Sequence, residues 1–217
     1  MFASQYILKN IVYPEFIEAE VSEQVALIVM IPCLNEPEII QTLESLWSCE
    51  PINSHIEVVV VVNESEASSP EVKQFNELNY NRLLNWKKNN DRTDLIVHPI
   101  YARAVAAKHA GAGMARKIGM DEVVRRFNHL NQPDGIIVSL DADCLVSPNY
   151  FKEIEKVFRN KSCFAATLNL KHRIEEISDP KLKQGIWFYE NYLHYYKRAL
   201  DYTGFPNSIY TIGSAFA

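Results

Sequence analysis

The sequence predicts an α/β fold with a Rossmann-like, mostly parallel central sheet flanked by helices. Three observations lead there. Short, continuous, β-branched apolar runs recur along the chain, and strands that read this way are buried on both faces. Stretches with helical apolar spacing separate them, which is the alternation of a parallel sheet. Serine and proline start signals stand where helices are needed.

Taken in order, residues 1–24 read as an irregular lead-in containing Pro14. Residues 25–217 read as one domain. Val25–Ile31 is the first strand, and Pro32 to Glu36 is the loop after it. Pro37 suits a first helical position, and Ile39, Ile40, Leu43, Leu46 and Trp47 mark one face of the helix that follows. Ile56–Val62 is the second strand, ending at Asn63-Glu64-Ser65. Ser69-Pro70 starts a helix running through Phe75 and Leu78 to Trp86. Leu95–Ile100 is the third strand, and a small-residue loop, Tyr101 to Ala110, leads to a helix opened by Gly111. Ile136–Leu140 is the fourth strand and delivers the chain to Asp141-Ala142-Asp143, after which Ser147-Pro148 signals another helix. Cys163–Leu168 reads as a fifth strand, Pro180–Leu200 as a long helix with an apolar packing stripe, and Ile209–Ile212 as a last short strand.

Composition bounds the function. The chain has 217 residues, enough for one large core, and a net charge of −5 with no basic cluster, which argues against a nucleic-acid partner. Its four cysteines are scattered and read as reduced thiols, pointing to a cytoplasmic protein. No apolar run approaches the roughly 20 residues of a membrane span; peripheral contact at a membrane is left open. The apolar end at Ala217 suggests a chain trimmed at its C-terminus.

In extended chain, residues i and i+2 face the same side, so Asp141 and Asp143 are expected to present two carboxylates to one place. Two such charges repel unless a cation lies between them, and Mg²⁺ or Mn²⁺ takes oxygen ligands of this kind, shared with substrate phosphates. Ligands of open α/β sheets lie beyond the carboxyl ends of the strands. This sequence puts Pro32–Glu36, Asn63-Glu64, and Asp141 with Asp143 there, with Arg116 and Lys117 on the glycine-led helix. The set holds hydrogen-bonding groups for a base, cations for phosphate and carboxylates for a metal. A dinucleotide fingerprint fails because Arg116 occupies the position of its last glycine, and no P-loop, H-E-x-x-H or G-x-S-x-G motif is present.

Four stretches, Ile31–Glu38 (IPCLNEPE), Val61–Ser65 (VVNES), Gly111–Gly119 (GAGMARKIG) and Leu140–Asp143 (LDAD), resemble, in order and spacing, the family 2 glycosyltransferases. The resemblance implies a GT-A fold over Val25 to Ala217. It also implies a hexosyltransferase-type enzyme that moves a sugar from a nucleotide-diphospho-sugar, usually a UDP-sugar, to an acceptor hydroxyl with inversion. Pro32, Asn35, Glu36, Asn63 and Glu64 would hold the nucleoside, and Arg116 would lie by the diphosphate. Asp141 would sit by ribose and metal, and Asp143 would ligate Mn²⁺ or Mg²⁺. Gly213 and Ser214 would lie on the acceptor side, toward a saccharide or lipid-linked acceptor. Asn63-Glu64 stands where many members carry an acidic pair. The family's catalytic base belongs to an acidic motif downstream of the acceptor segment, so it is expected beyond Ala217. The alternative reading is a nucleotide-sugar-binding module without transferase activity. A sugar-nucleotide pyrophosphorylase would need a glycine-rich, lysine-bearing first loop, which Pro32–Pro37 is not.

Overall fold

A computed structural model describes the chain except for residues 91, 161, 207 and 209–215. The expected strand at Ile209–Ile212 and the acceptor-side Gly213 and Ser214 lie outside the described residues. The chain divides into two compact units, Met1–Phe164 (with Ala217) and Ala165–Phe216.

In the first unit the elements run α1 (Ser4–Asn10), β1 (Val25–Cys33), α2 (Ile39–Trp47), β2 (His55–Ser65), α3 (Pro70–Asn89), β3 (Leu95–Val105), α4 (Ala112–His129), β4 (Ile136–Ser139) and α5 (Tyr150–Phe158). The four strands form one sheet in the order β3-β2-β1-β4, and every pairing is parallel. The α/β class and the parallel, helix-flanked sheet are as the apolar runs predict. The central strands are the most apolar: β1 is buried at every residue except Ala26, and β2 from Ile56 to Glu64. β3, which has a neighbour on one side only, alternates more and accommodates Pro99.

The expected strand ends are too early. β1 runs on to Cys33, so Pro32 is a strand residue, not a loop residue. A proline in a central strand needs an explanation, because it cannot donate to the ladder. Pairing of β1 with β4 ends at Met30, whose carbonyl accepts from Leu140 N at 3.1 Å. Pro32 has the same parity as Met30, so its missing N–H faces the side that β4 has already left. Asn63 and Glu64 likewise lie inside β2, and β3 takes five residues, 101–105, from the expected loop.

The sheet packs against α4, where Ile118, Val123 and Phe127 join Ile28, Met30, Val59 and Val61 in one core. Gly119 allows the close approach, since a Cβ there would stand 2.3 Å from Met30 Cγ and 3.0 Å from Val61 Cγ2. The lead-in is more ordered than its mixed polarity suggests. It forms α1 and lies along α4: Ala3 N donates to Asn128 Oδ1, Phe16 N and Ile17 N donate to Glu122, and Arg125 donates to the carbonyls of Tyr13 and Pro14.

Helix α3 forms where expected and buries a partly polar face. Asn76, Asn79 and Leu83 are its buried residues, while Leu78 is exposed. Helix α5 begins two residues later than Ser147-Pro148 implies, and the Ser147 hydroxyl donates to Asn149 Oδ1 at 2.9 Å instead of capping it.

In the second unit, Ile174–Glu176 form one 3-10 turn, and α6 (Pro180–Tyr202) is the long helix, capped by Asp179 Oδ1 accepting from Lys181 N at 2.9 Å. No fifth strand forms at Cys163–Leu168. Thr167 makes a single antiparallel bridge to Phe216, and Phe164 is 90% exposed. A short apolar run becomes a strand only where a neighbouring strand takes up its backbone groups. The expected packing stripe of α6 is not buried: Ile186, Leu193 and Leu200 are half-buried, and Leu182, Tyr189 and Tyr196 are exposed along with Phe188, Tyr192 and Tyr195.

Candidate functional site

The strand order fixes where a ligand would sit. From β1 the chain moves outward through β2 to β3, then returns to place β4 on the other side of β1. The switch point therefore lies between β1 and β4, and open α/β sheets bind ligands beyond the strand ends at such a point. The loops there are Leu34–Glu38, after β1, and Leu140–Cys144, after β4.

Asp141, Ala142 and Asp143 do not continue the strand. β4 ends at Ser139, and Cys144 N donates to Asp141 O at 3.2 Å, closing a turn. The same-side argument for i and i+2 in extended chain thus does not apply to these carboxylates. The turn is clamped by α2, because Thr42 Oγ1 donates to Ala142 O at 2.7 Å and Val146 N donates to Ser45 Oγ at 3.2 Å. Asp143 is exposed. Asp141 is half-buried and accepts from Arg116 Nη2 at 2.6 Å. Arg116 Nε is buried without a hydrogen-bond partner. Burial raises the Cys144 thiol to about 11, with the Asp143 and Asp141 charges adding to the effect, so it stays neutral in this negative field.

Lys117 does not join the site. Its ammonium bonds both oxygens of Asp121, at 2.6 and 2.5 Å, and Asn10 O at 3.0 Å, and so fastens α1 to α4.

The loop after β1 turns at Asn35, which has a left-handed φ of 52°. Asn35 N donates to Asn76 Oδ1 at 2.9 Å, and Asn79 Nδ2 donates to Glu36 O at 2.7 Å. Glu36 also folds back locally, its Oε1 accepting from Glu38 N at 3.1 Å. Asn63 is fully buried. Its Nδ2 donates to Gly111 O at 3.2 Å, its carbonyl accepts from Asn76 Nδ2 at 3.3 Å, and its Oδ1 has no partner. Gly111, at φ 136°, is a backbone position that favours glycine, and it opens the helix that carries Arg116. Glu64 is buried and accepts from Tyr101 OH at 2.8 Å; burial first, and then Glu64, raise that phenol to about 12, so it remains a donor.

The sequence-predicted residues therefore form two groups in the first unit. Asn35, Glu36 and Asn63 are drawn together through α3, and Arg116 is paired with Asp141. Pro32 and Glu64 are buried in their strands and Asp143 is exposed. Sequence reasoning missed Thr42, Asn76, Asn79 and Tyr101. A signal existed for two of them. Asn76, Asn79 and Leu83 have i, i+3, i+7 spacing, and asparagines on a helix stripe are poor helix formers kept for their amides.

Among the described residues no three His, Cys, Asp or Glu side chains gather to hold a metal. By residue type alone, Asp141 and Asp143 are carboxylate donors of the kind hard divalent cations take. Mg²⁺ and Mn²⁺ are held by one or two carboxylates with substrate phosphates supplying further oxygens, and these two aspartates are the right donors for that.

No helix among the described residues is long and apolar enough to cross a membrane. No protein-family model matches the chain, and no curated protein does. Among solved structures it is similar to S. aureus TarS 1-349, at 17% identity and TM-score 0.43 over 68% of this chain and 36% of that one. It is similar also to TarS 1-349 in complex with UDP-GlcNAc (19%, TM-score 0.40, 68% and 35%) and in complex with UDP (19%, TM-score 0.41, 68% and 36%). The match thus spans about a third of those chains.

Proposed function

We propose that this chain carries the nucleotide-sugar site of a glycosyltransferase of the GT-A, family 2 type, which moves a hexose from a UDP-sugar to an acceptor hydroxyl with inversion. One observation carries the reading. At the switch point between β1 and β4 stand a hydrogen-bonding loop, Asn35-Glu36, and an aspartate turn already paired with an arginine, Asp141 with Arg116 at 2.6 Å. A nucleoside diphosphate needs a base-binding loop at one end and cationic and metal-binding groups at the other, and sheets of this topology bind ligands between such strands.

In this reading Asn35 and Glu36, backed by Asn63 and Glu64, hold the nucleoside, and Arg116 donates to a diphosphate oxygen. The Arg116–Asp141 pair opens as the ligand binds, releasing the guanidinium to an anion and the carboxylate to a cation. Asp143, with Asp141, would hold Mg²⁺ or Mn²⁺, which when bound would supply Lewis-acid stabilisation of the leaving diphosphate. The acceptor oxygen attacks the anomeric carbon from the face opposite the leaving group through an oxocarbenium-like transition state, as in glycoside hydrolysis. Arg116 adds a charge-assisted hydrogen bond as that negative charge develops. No residue of this chain is assigned as the base.

Calorimetry tests the reading. UDP and UDP-hexoses are expected to bind with Mn²⁺ present and to weaken markedly without it. Asp143→Ala should abolish the metal dependence while leaving the fold intact by circular dichroism. A wild-type chain that binds no nucleotide under any metal condition would sink the proposal.

A further inference from the structure

Helix α3 contributes no residue to the expected site, yet it buries two asparagines three positions apart, Asn76 and Asn79. Asparagine is a poor helix former, and an amide taken from water is costly unless its groups are bonded. Local preference and fold therefore disagree here, as they do where a sequence is held to a functional geometry. Asn76 resolves the disagreement with both ends of one amide. Its Oδ1 accepts from Asn35 N at 2.9 Å, and its Nδ2 donates to Asn63 O at 3.3 Å. One side chain thus ties the loop after β1 to the end of β2, across gaps of 41 and 13 residues. Its bond to Asn35 also holds a non-glycine residue at φ 52°, a conformation that L-residues adopt at a cost. Asn79 does the same next door, its Nδ2 donating to Glu36 O at 2.7 Å while its Oδ1 accepts from Arg82 Nη1 at 3.2 Å.

We propose that Asn76 is the positioning residue for the nucleoside half of the site, setting Asn35 and Asn63 in the register that recognises a base, with Asn79 in support. The inference rests on the nucleotide-sugar reading above and deepens it. It separates the site into two halves with different main supports, joined by the hydrogen bond from Asn63 Nδ2 to Gly111 O at 3.2 Å. The nucleoside half hangs from α3, and the diphosphate half, Arg116 with Asp141, is built from α4 and the turn clamped by α2. A substitution at Asn76 therefore damages base recognition and leaves diphosphate recognition in place.

The test titrates UDP and inorganic pyrophosphate, each with Mg²⁺, into the full chain, into Asn76→Ala and into Asn79→Ala. Loss of two positioning hydrogen bonds in Asn76→Ala is expected to weaken UDP about tenfold, and loss of the one in Asn79→Ala to weaken it less. Pyrophosphate affinity should stay within about twofold of wild type in both, a difference of roughly 0.4 kcal/mol. Retained pyrophosphate binding also shows that each variant is folded. Should Asn76→Ala fail to fold, Asn79→Ala carries the same comparison. Equal loss for both ligands would make these asparagines merely structural and overturn the inference, as would unchanged UDP affinity. A wild-type chain that binds pyrophosphate but not UDP would instead sink the nucleotide reading and take this inference with it.

Discussion

Arg116 and Asp141 meet at 2.6 Å, each about one third exposed. A pair that open to solvent is worth little to stability. Its consequence is for binding, because each partner occupies the group that a ligand of opposite charge would take. Arg116→Gln is therefore expected to act in opposite directions on two ligands. UDP affinity should fall about tenfold, the size of one charge-assisted hydrogen bond at a partly exposed site. Mn²⁺ alone should bind a few-fold tighter, because Asp141 no longer faces a guanidinium. Paramagnetic resonance of the unbound Mn²⁺ signal measures the second effect; tighter UDP binding together with weaker Mn²⁺ binding would reverse the assigned roles. The sequence marked both residues, through the aspartate turn and the glycine-led helix, but not their pairing. Contacts across 25 residues leave no local trace.

Among elements, β2, β3 and α4 are joined at the other end of the sheet by a buried charge cluster. Glu57 accepts from Arg126 at Nε and, at 2.6 Å, at Nη2, while His98 Nε2 stands 3.7 Å from Glu57. Arg126 also donates to Ala19 O at 2.9 Å, drawing the lead-in onto the cluster. Burial pushes the Lys87 ammonium nearby down as well. Burial holds the His98 imidazole below its usual range, although Glu57 pulls partly against that. As pH falls through about 6.5 the unfolded chain protonates at this residue first, so stability declines from there down to the folded-state value. Burial alone would raise the Glu57 carboxyl, but the interactions with His98 and Arg126 outweigh it, and the net displacement is downward. Its contribution is present above about 4.5 and is lost as pH falls through the folded value. Both groups make acid destabilising. Thermal melts are expected to start dropping as pH falls through about 6.5, and His98→Gln should flatten that first decline while keeping the later, Glu57-linked one. An unchanged profile in the variant would remove His98 from the explanation. None of this was visible in the sequence, where Glu57 interrupts an apolar run without apparent cause.

For the molecule as a whole, the sheet was legible because continuous apolar runs specify buried parallel strands almost regardless of context. Strand ends were less so: Pro32 reads as a stop until β4 is seen to leave β1 at Met30. The buried face of α3 was not legible, because apolar periodicity cannot register an asparagine held by two backbone partners. The fifth strand and the buried α6 stripe were overcalled for the converse reason: apolar spacing does not by itself supply the surface that buries it, and Phe164, Leu182 and Tyr196 stay exposed. The site was legible as residue types at strand ends, and not as the two halves that α3 and α4 support. The central claim is that a metal–nucleotide complex sits at the β1–β4 switch point. Broadening of backbone amide resonances by Mn²⁺, with and without UDP, tests it most directly. With UDP present, the amides of Asp141, Ala142, Asp143 and Cys144 are expected to vanish first, with Asn35 and Glu36 next, while the Glu57–Arg126 end of the sheet stays sharp. Broadening centred at that far end, or broadening at Asn35 and Glu36 that UDP does not increase, would contradict the claim.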